Sequence, residues 1–577
     1  MVMPVHNAEI AGALNDYADL LEISGANQFR VRAYRTAARN IGELPHSVSD
    51  MVKQGEPLSS IPGLGKELTA KVEEMVTTGS LSQLEDFKQE FPAGLLDITR
   101  LGGLGPRRTR MIYLELGITD IEQLAEAASQ KRIRELPGFA TRTEQKILDE
   151  IRRRESTAGE GKRYRLAVAM EIVKPLLQYL DDIRGIRNIK VAGSYRRKKE
   201  TVGDLDILLT HRQGAEVIKR FVEYEDVDRV ISRGDTRSTV VLRPGIQIDL
   251  RVVPEASYGA ALHYFTGSKA HNVAVRKLGL KRGLKINEYG VFRDGKKLAG
   301  STEEAVYKQV DLPYIEPELR EESGEIEAAQ QDNLPQLVRL EDIRGDLHAH
   351  TKATDGRATL EEIARTAQKK GYQYLAVTDH SRHVTVARGL DALRLEEQID
   401  DIDRLNEKLD GFTLLKGIEL DILDDGSLDL PGDILTRLDL VVCAVHYRFD
   451  LPEEKQTERI IRGIDNPYFT ILAHPTGRMI GERDPYQVDM ERVMEAARET
   501  GTVMEINAQP SRLDLKDSHA RMAREMGVMV AISTDAHSTR DLELMGFGIN
   551  QARRGWLEAD NVLNTRSLEK LLKIIRK

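Results

Sequence analysis

The chain has 577 residues, 40% of them hydrophobic and 31% charged, with a formal net charge of −9. That length exceeds what a single hydrophobic core serves, so three or more domains are expected. One cysteine, Cys443, rules out an intrachain disulfide and suits a reducing compartment, so a cytoplasmic location is expected. No signal peptide and no apolar run long enough to span a bilayer is visible, and no membrane partner is expected. The charge is uneven. Residues 156–300 carry 28 Lys and Arg against 17 Asp and Glu, whereas residues 301–577 carry 36 against 53. A basic middle suits phosphate contact, and the change of sign points to separate domains.

In chain order, the first third offers three short segments of one kind. They are Ile61-Pro62-Gly63-Leu64-Gly65-Lys66, Leu101-Gly102-Gly103-Leu104-Gly105-Pro106 and Leu136-Pro137-Gly138-Phe139-Ala140-Thr141. The first two set Gly-x-Gly between amphipathic helical stretches. Such glycines permit a tight turn, and the next helix begins with free backbone N–H groups that hold a DNA phosphate without reading a base. Gly63, Gly65, Lys66, Gly103 and Gly105 are therefore candidate DNA-binding residues. The pattern resembles helix-hairpin-helix motifs, which implies a monovalent cation at the hairpins. The third copy lacks its second glycine and reads as structural.

A strand-like run, Asn188-Ile189-Lys190-Val191-Ala192, then stops at Gly193-Ser194 and a basic cluster. Gly193 lets the backbone approach a triphosphate, and Ser194 and Arg197 are placed to donate to its oxygens. Asp204-Leu205-Asp206 follows, two carboxylates that share one face of a strand. Asp249 lies in Gln247-Ile248-Asp249-Leu250-Arg251, a second strand-like run expected beside the first. Asp-x-Asp alone is common as a surface pair. Three converging carboxylates, however, repel unless divalent cations sit between them, and two Mg²⁺ (or Mn²⁺) ions roughly 3.5–4 Å apart serve phosphoryl transfer.

Strand, Gly-Ser, Arg and Asp-x-Asp in this order resemble the nucleotidyltransferase fold. Tyr264-Phe265-Thr266-Gly267-Ser268-Lys269-Ala270-His271-Asn272, with Arg276 after it, resembles the nucleotide pocket of the family X DNA polymerases, the group that includes DNA polymerase beta. The resemblance implies that Asp204 and Asp206 bind both metals, and that Asp249 binds the catalytic metal and orients the primer 3′-OH. It implies that Ser194, Arg197 and Gly203 contact the β/γ-phosphates. Tyr264, Phe265, Gly267 and Asn272 would hold the sugar and base edge, with Ser268 and Lys269 beside them, and Arg276 would reach the templating side. Two departures stand out: Gln247 where members often carry an Arg near the third carboxylate, and Lys269 where an acidic residue is usual. The stretch Asn27–Ala38 resembles the opening helices of the small lyase domain of this family. Lys71 matches its Schiff-base lysine, but Glu67 falls where a second lysine is expected. A lysine beside an acid keeps a high pKa and is a poor nucleophile. Lys71 is thus a candidate lyase residue, and a 5′-phosphate pocket is the expected role.

Residues 317–341 are polar and acidic with weak periodicity and read as an interdomain linker. Beyond them strand-like and helical runs alternate, with His and carboxylates at the strand ends, as in a β/α barrel with its site at the C-terminal ends of the strands. Six of the thirteen histidines fall in this set. A lone strand-end histidine is usually packing; six beside carboxylates point to Zn²⁺, Mn²⁺ or Fe²⁺, and the absence of cysteine argues against a closed structural zinc site. The order His-x-His, Asp, His, Glu, His, His, Asp-x-His resembles the polymerase-and-histidinol-phosphatase (PHP) domain, a distorted barrel with up to three Zn²⁺ or Mn²⁺ ions. The resemblance assigns its ligands to His348, His350, Asp355, His380, Glu419, His446, His474, Asp535 and His537. Arg478 and Lys352 are candidate holders of a substrate phosphate.

The expected architecture is multidomain. A lyase-like helical domain (1–85) and fingers with helix-hairpin-helix motifs (86–158) precede an α+β nucleotidyltransferase palm (159–255) and thumb (256–316). The linker (317–341) and a PHP barrel (342–577) complete it. The function these resemblances imply is short-gap filling in base excision repair on gapped or nicked DNA with deoxynucleoside triphosphates, by a monomer. The barrel would act as 3′→5′ exonuclease, abasic-site endonuclease or 3′-phosphatase. Two alternatives stay open: a DNA-end-processing nuclease or phosphatase whose polymerase half chiefly binds DNA, and a repair scaffold.

Overall fold

Leu, Ile, Val and Ala recur at three- and four-residue intervals through the first 157 residues, and that stretch folds as helices. The computed structural model describes residues 5–44, 47–61, 63–101, 104–157 and 162–575. They form two units, Met1–Val191 with Thr201–Pro254 and Ala192–Glu200 with Glu255–Lys577.

In the first unit three helices start at side-chain caps. Asn27 accepts from Phe29 N before Gln28–Glu43, Ser47 from Asp50 N before Val48–Lys53, and Asp120 from Gln123 N before Ile121–Ser129. One apolar cluster, including Leu14, Tyr34, Ile41, Val72, Leu95 and Ile112, joins them. A five-stranded sheet follows, in the order Arg187–Val191, Asp204–Thr210, Gln247–Val252, Arg237–Leu242, Val227–Arg233. Only the pair Asp204–Thr210 and Gln247–Val252 is parallel. That pairing sets Asp206 directly opposite Asp249.

The second unit opens with the turn Ala192–Glu200, including the short helix Gly193–Arg196. Helices Tyr258–Thr266 and Lys269–Lys281 and a three-stranded antiparallel sheet (Lys285–Asn287, Gly290–Arg293, Lys296–Ala299) lead to helix Glu303–Lys308. The C-terminal region is a distorted β/α barrel. Its parallel strands run Gly345–Asp346, Tyr374–Val377, Thr413–Lys416 with Glu419–Asp421, Val442–Ala444, Ile471–Leu472, Val503–Asn507 and Val530–Ser533. Parallel bridges His380↔Glu419 and Ala349↔Ala536 join the two sheets into which these strands fall. Along Tyr374–Val377 the pleat sorts side chains between two cores: Tyr374 and Ala376 enter one, Leu375 and Val377 the other.

Part of residues 317–341, the expected linker, is packed, while residues 331–333 and 339–341 are exposed. Leu319, Ile326, Ala329 and Leu337 share a core with Val306, Tyr307, Val310 and Trp556. Arg320 is fully buried. It donates to Ile315 O (2.9 Å) and Glu303 Oε1 (2.6 Å), and lies over the rings of Tyr307 and Tyr314. Glu325 is buried against His271 Nδ1 at 2.6 Å. Part of the acidity that suggests a solvated linker, Glu318, Glu321 and Glu325, is paired within the fold. Burial pushes the Glu303 carboxyl up, but Arg320 and Arg196 outweigh it and hold it at about 2. Its stabilisation is therefore complete above the ordinary carboxylate range and is lost as pH falls towards about 2. Glu303→Gln leaves Arg320 buried without its counter-charge and should cost about 3–5 kcal/mol. The thermal midpoint of the variant at neutral pH checks this; a midpoint equal to that of the unaltered chain would remove the pair from the account.

Candidate active sites

Asp206 and Asp249 are neighbours because their strands pair in parallel, and Asp204 shares the Asp206 face one pleat away. Asp204 is exposed, Asp206 half-buried and Asp249 buried. Both Asp249 oxygens are held. Thr239 Oγ1 donates to Oδ1 (2.7 Å), as does Arg237 Nη2 (3.3 Å), and Gln247 Nε2 donates to Oδ2 (3.0 Å). Burial alone would raise the Asp249 carboxyl, but these donors lower it and keep it ionised. At Asp206 the charges of Arg251 and Arg237 are outweighed. Burial, then the charges of Asp204 and Asp249, push it up to about 7. Sequence reasoning found Gln247 but missed Arg237 and Thr239. The signal was the hairpin through Gly245, which sets Thr239 opposite Asp249. An arginine does approach the third carboxylate, from the neighbouring strand and not from position 247.

The second unit carries the other expected nucleotide contacts. Gly193 (φ +62°) and Ser194 begin the short helix of the turn. Arg197 Nε donates to Glu321 Oε1 (3.0 Å) and its Nη1 to Thr266 O. Tyr264 and Phe265 meet edge to face at 5.1 Å. Gly267 ends that helix, Ser268 caps the next at His271 N, and Lys269 is its exposed first residue. Asn272 Nδ2 donates to Tyr264 O (2.7 Å), and its buried Oδ1 has no partner among the described residues, an acceptor free for a nucleotide. Arg276 Nε donates to Asn272 O (3.3 Å). Gly203, in the first unit, precedes the Asp204 strand.

At the hairpins, Gly63 has φ +78°, and a Cβ there would lie 2.9 Å from Thr36 Cγ2. Gly65 and Gly105 are exposed N-caps of Lys66–Thr78 and Pro106–Leu116, with Lys66 exposed beside the first. Gly103 lies outside the described residues. Lys71 Nζ donates to Glu67 Oε1 (2.6 Å) and to Tyr34 Oη. Burial lowers its pKa, but Glu67 and Tyr34 outweigh that, and the amine stays protonated above its ordinary range.

The barrel brings all nine expected ligands together. Asp535 Oδ1 lies 3.1 Å from His350 Nε2 and 3.6 Å from His348 Nε2. Glu419 lies 3.0 Å from His474 Nε2, 3.3 Å from His446 Nε2 and 2.8 Å from His380 Nδ1. Asp355 Oδ2 is 3.5 Å from His537 Nε2 and 3.6 Å from His380 Nε2. Three subsets have ligand atoms grouped tightly enough for an ion: His350, Asp355, His380 and His537; His348, His350 and Asp535; His380, Glu419 and His446. His350 Nδ1 is buried and has no hydrogen-bond partner among the described residues despite this crowding, as suits an atom aimed at a cation. His474 (φ +29°) and Asp535 (φ +50°) hold left-handed backbone, which non-glycine residues adopt at a cost and mostly at functional sites. At Gly356 a Cβ would meet the His350 backbone at 2.6 Å, so only glycine lets the Asp355 loop lie against that ligand.

Electrostatics divide the imidazoles. Burial, then His537 and His380, push His350 down to about 4. Burial also opposes charge on His380, but Glu419 and Asp355 prevail and raise it to about 10. A second layer went unseen in the sequence. Glu505 reaches His348 Nδ1 (2.7 Å) and accepts from His474 N (2.7 Å), Asp421 lies 3.1 Å from His446 Nδ1, and Asn507 Nδ2 donates to Asp535 Oδ2 (3.0 Å). Such partners fix ring orientation. Their signal was weak: Glu505 is a single carboxylate in an apolar strand, and Asp421 follows Glu419 at the next position of the same strand face. Of the two phosphate candidates, Lys352 pairs with Glu362 at 3.4 Å and Arg478 with Glu200 at 2.8 Å.

The Asp206 carboxyl sets a pH dependence. Below about 7 it carries a proton that a cation must displace; above, it does not. Mg²⁺ affinity at the three aspartates should rise roughly tenfold per pH unit up to that value and then level. Calorimetric titration near pH 6 and pH 8, with Asp206→Asn as reference for the barrel sites, checks it; a flat affinity contradicts it.

Family models match along the chain: helix-hairpin-helix domain at residues 5–81, SAM-like helix-hairpin-helix tandem at 95–153, DNA polymerase beta palm at 167–243, DNA polymerase beta thumb at 261–321 and PHP domain at 346–509. A Bacillus subtilis (strain 168) protein named DNA polymerase/3'-5' exonuclease PolX is 39% identical over 570 residues, 98% of each chain. Probable phosphatases of Thermoanaerobacter sp. (strain X514) and of Caldanaerobacter subterraneus are 36% and 35% identical over 232 residues. Those residues are 38% of this chain and 89% and 86% of theirs. Palm, thumb and barrel on one chain, matched end to end by such a relative, place it in the family X DNA polymerases that carry a PHP domain.

Proposed function

We propose that this chain is a DNA polymerase that fills short gaps and also shortens DNA from its 3′ end, with base excision repair as its setting. One observation carries the reading: two separate sets of cation-seeking side chains, three aspartates on paired strands of one unit and, in the barrel of the other, eight residues grouped closely enough for ions with His474 beside Glu419. Mg²⁺ or Mn²⁺ at the aspartates, and Zn²⁺ or Mn²⁺ in the barrel, supply positive charge for phosphoryl oxygens when bound. The chain's own residues do the rest. Asp249, kept ionised by Thr239, Gln247 and Arg237, orients the primer 3′-OH and accepts its proton. Ser194 and Arg197 donate to the triphosphate, and Asn272 offers its free oxygen to sugar or base edge. In the barrel, Glu505 and Asp421 hold the imidazoles of His348 and His446 in the orientation that phosphoester hydrolysis requires.

The partners are gapped or nicked DNA, with hairpin N–H groups at Gly65 and Gly105 on its backbone and a monovalent cation there, and deoxynucleoside triphosphates. The chain acts as a monomer. Among the described residues no helix is long and apolar enough to cross a membrane. Lys71, held as an ammonium, serves a 5′-phosphate better than a Schiff base. Abasic-site endonuclease and 3′-phosphatase activities belong to the same barrel, a reading the phosphatase names of its shorter relatives favour.

A 5′-labelled primer on a short-gap duplex with Mn²⁺ separates the two sites. Asp206→Ala should lose extension by at least roughly a hundredfold while still shortening the primer, and His350→Ala should do the reverse. If Asp206→Ala extends as the unaltered chain does, the polymerase assignment is wrong; if His350→Ala still shortens, the exonuclease assignment is.

A further inference from the structure

The turn that carries Ser194 and Arg197 belongs to the second unit, with the thumb and the barrel. Its contacts explain why. Arg196 makes a two-pronged pair with Glu303, Nη1 to Oε1 at 2.9 Å and Nη2 to Oε2 at 2.6 Å, and reaches Thr266 Oγ1 at 2.7 Å. Glu200 pairs with Arg478, four residues beyond the ligand His474. Between them stands Arg554, the last residue of the barrel helix Met545–Arg554. Its Nε and Nη2 donate to Asp517 Oδ2 at 3.0 and 2.5 Å. Its Nη1 donates to the main-chain carbonyl of Arg197 (2.9 Å) and to Glu321 Oε1 (3.1 Å), the same oxygen that accepts from Arg197 Nε.

One guanidinium thus ties a barrel carboxylate, a thumb carboxylate and the backbone of the phosphate-contacting residue. The planar fork of arginine suits such a multi-point task, whereas a lysine ammonium is a point charge. Arg554 is nearly buried, with its side chain 5% exposed, so these bonds are little screened. The arrangement also bears on Arg197. Glu321 Oε1 is shared between two guanidinium groups, and Lys199 Nζ stands 3.7 Å from it. With Arg554 present, Glu321 holds Arg197 in place without being neutralised by it alone. Without Arg554, the Arg197 carbonyl loses a donor and Glu321 is left to collapse onto Arg197, the cation meant for the triphosphate.

We propose that Arg554, a residue of the phosphoesterase barrel, is a positioning residue for nucleotidyl transfer: by holding the Arg197 carbonyl and Glu321 it presets the triphosphate-contacting turn. The inference rests on the reading of Arg197 as a phosphate contact. It makes the barrel part of the polymerase site's support as well as a second enzyme.

The test measures KM and kcat for a deoxynucleoside triphosphate on a gapped primer–template, with primer shortening and bound-metal content in parallel, for full-length Arg554→Ala, Arg554→Lys and Arg197→Ala. Losing a hydrogen bond to a charged group corresponds to roughly tenfold or more. Arg554→Ala should therefore raise the nucleotide KM about tenfold, with kcat changing less, and leave shortening and metal content as they are. Arg554→Lys should recover only part of the loss, and if Arg554→Ala does not fold, the lysine variant must still show a raised KM. An unchanged nucleotide KM in Arg554→Ala, or a parallel loss of extension, shortening and metal, would overturn the inference. A normal nucleotide KM in Arg197→Ala would instead sink the reading of Arg197 on which it stands.

Discussion

Ionisable groups crowded with only partial counter-charge from the protein are the constraint around which this molecule is arranged. Asp204, Asp206 and Asp249 converge on one edge of a parallel strand pair, and burial together with mutual repulsion pushes Asp206 up to about 7. In the barrel, six imidazoles and three carboxylates meet with buried atoms left unbonded. A fold keeps such arrangements only where bound cations relieve them, because an uncompensated buried charge costs several kcal/mol. The surroundings reflect this. Asp249 is held from three sides, Gly356 admits a ligand loop no side chain would, and His474 and Asp535 sit in strained backbone.

Other buried charges are paired, and they help to organise the second unit. Arg320 and Arg196 share Glu303, Glu325 takes His271, and Arg554 bridges Asp517 and Glu321. Each removes a charge from water and returns it a partner with directional bonds. These pairs turn a stretch of acidic sequence into a packed joint between thumb and barrel. They also separate two kinds of cluster that composition alone does not distinguish, one closed by the protein itself and one awaiting a ligand.

Much of this was legible in the residues. Period-two spacing put Asp204 and Asp206 on one face, and histidines and carboxylates at successive strand ends marked the barrel and its nine candidate ligands. What escaped had physical reasons. Arg237 and Thr239 reach Asp249 through strand pairing, which depends on register across a turn and not on local spacing. Glu505 is a lone carboxylate in an apolar strand and Asp421 stands two residues after Glu419; their roles are visible only once the imidazoles they orient are in place. Residues 317–341 looked solvated because charge reads as exposure unless the partner is known, and the partners of Arg320 and Glu325 come from residues 303 and 271.

The most direct test of the account is where cations bind. Anomalous scattering from crystals of the full chain grown with saturating Mn²⁺ should show ions between Asp206 and Asp249, and up to three more in the barrel among the nine ligands. Strong peaks in both places would bear out the view that these crowded groups are cation sites. A barrel with no peak, its histidines bonded to one another and to Glu419 instead, would contradict it and leave the cluster as a structural network.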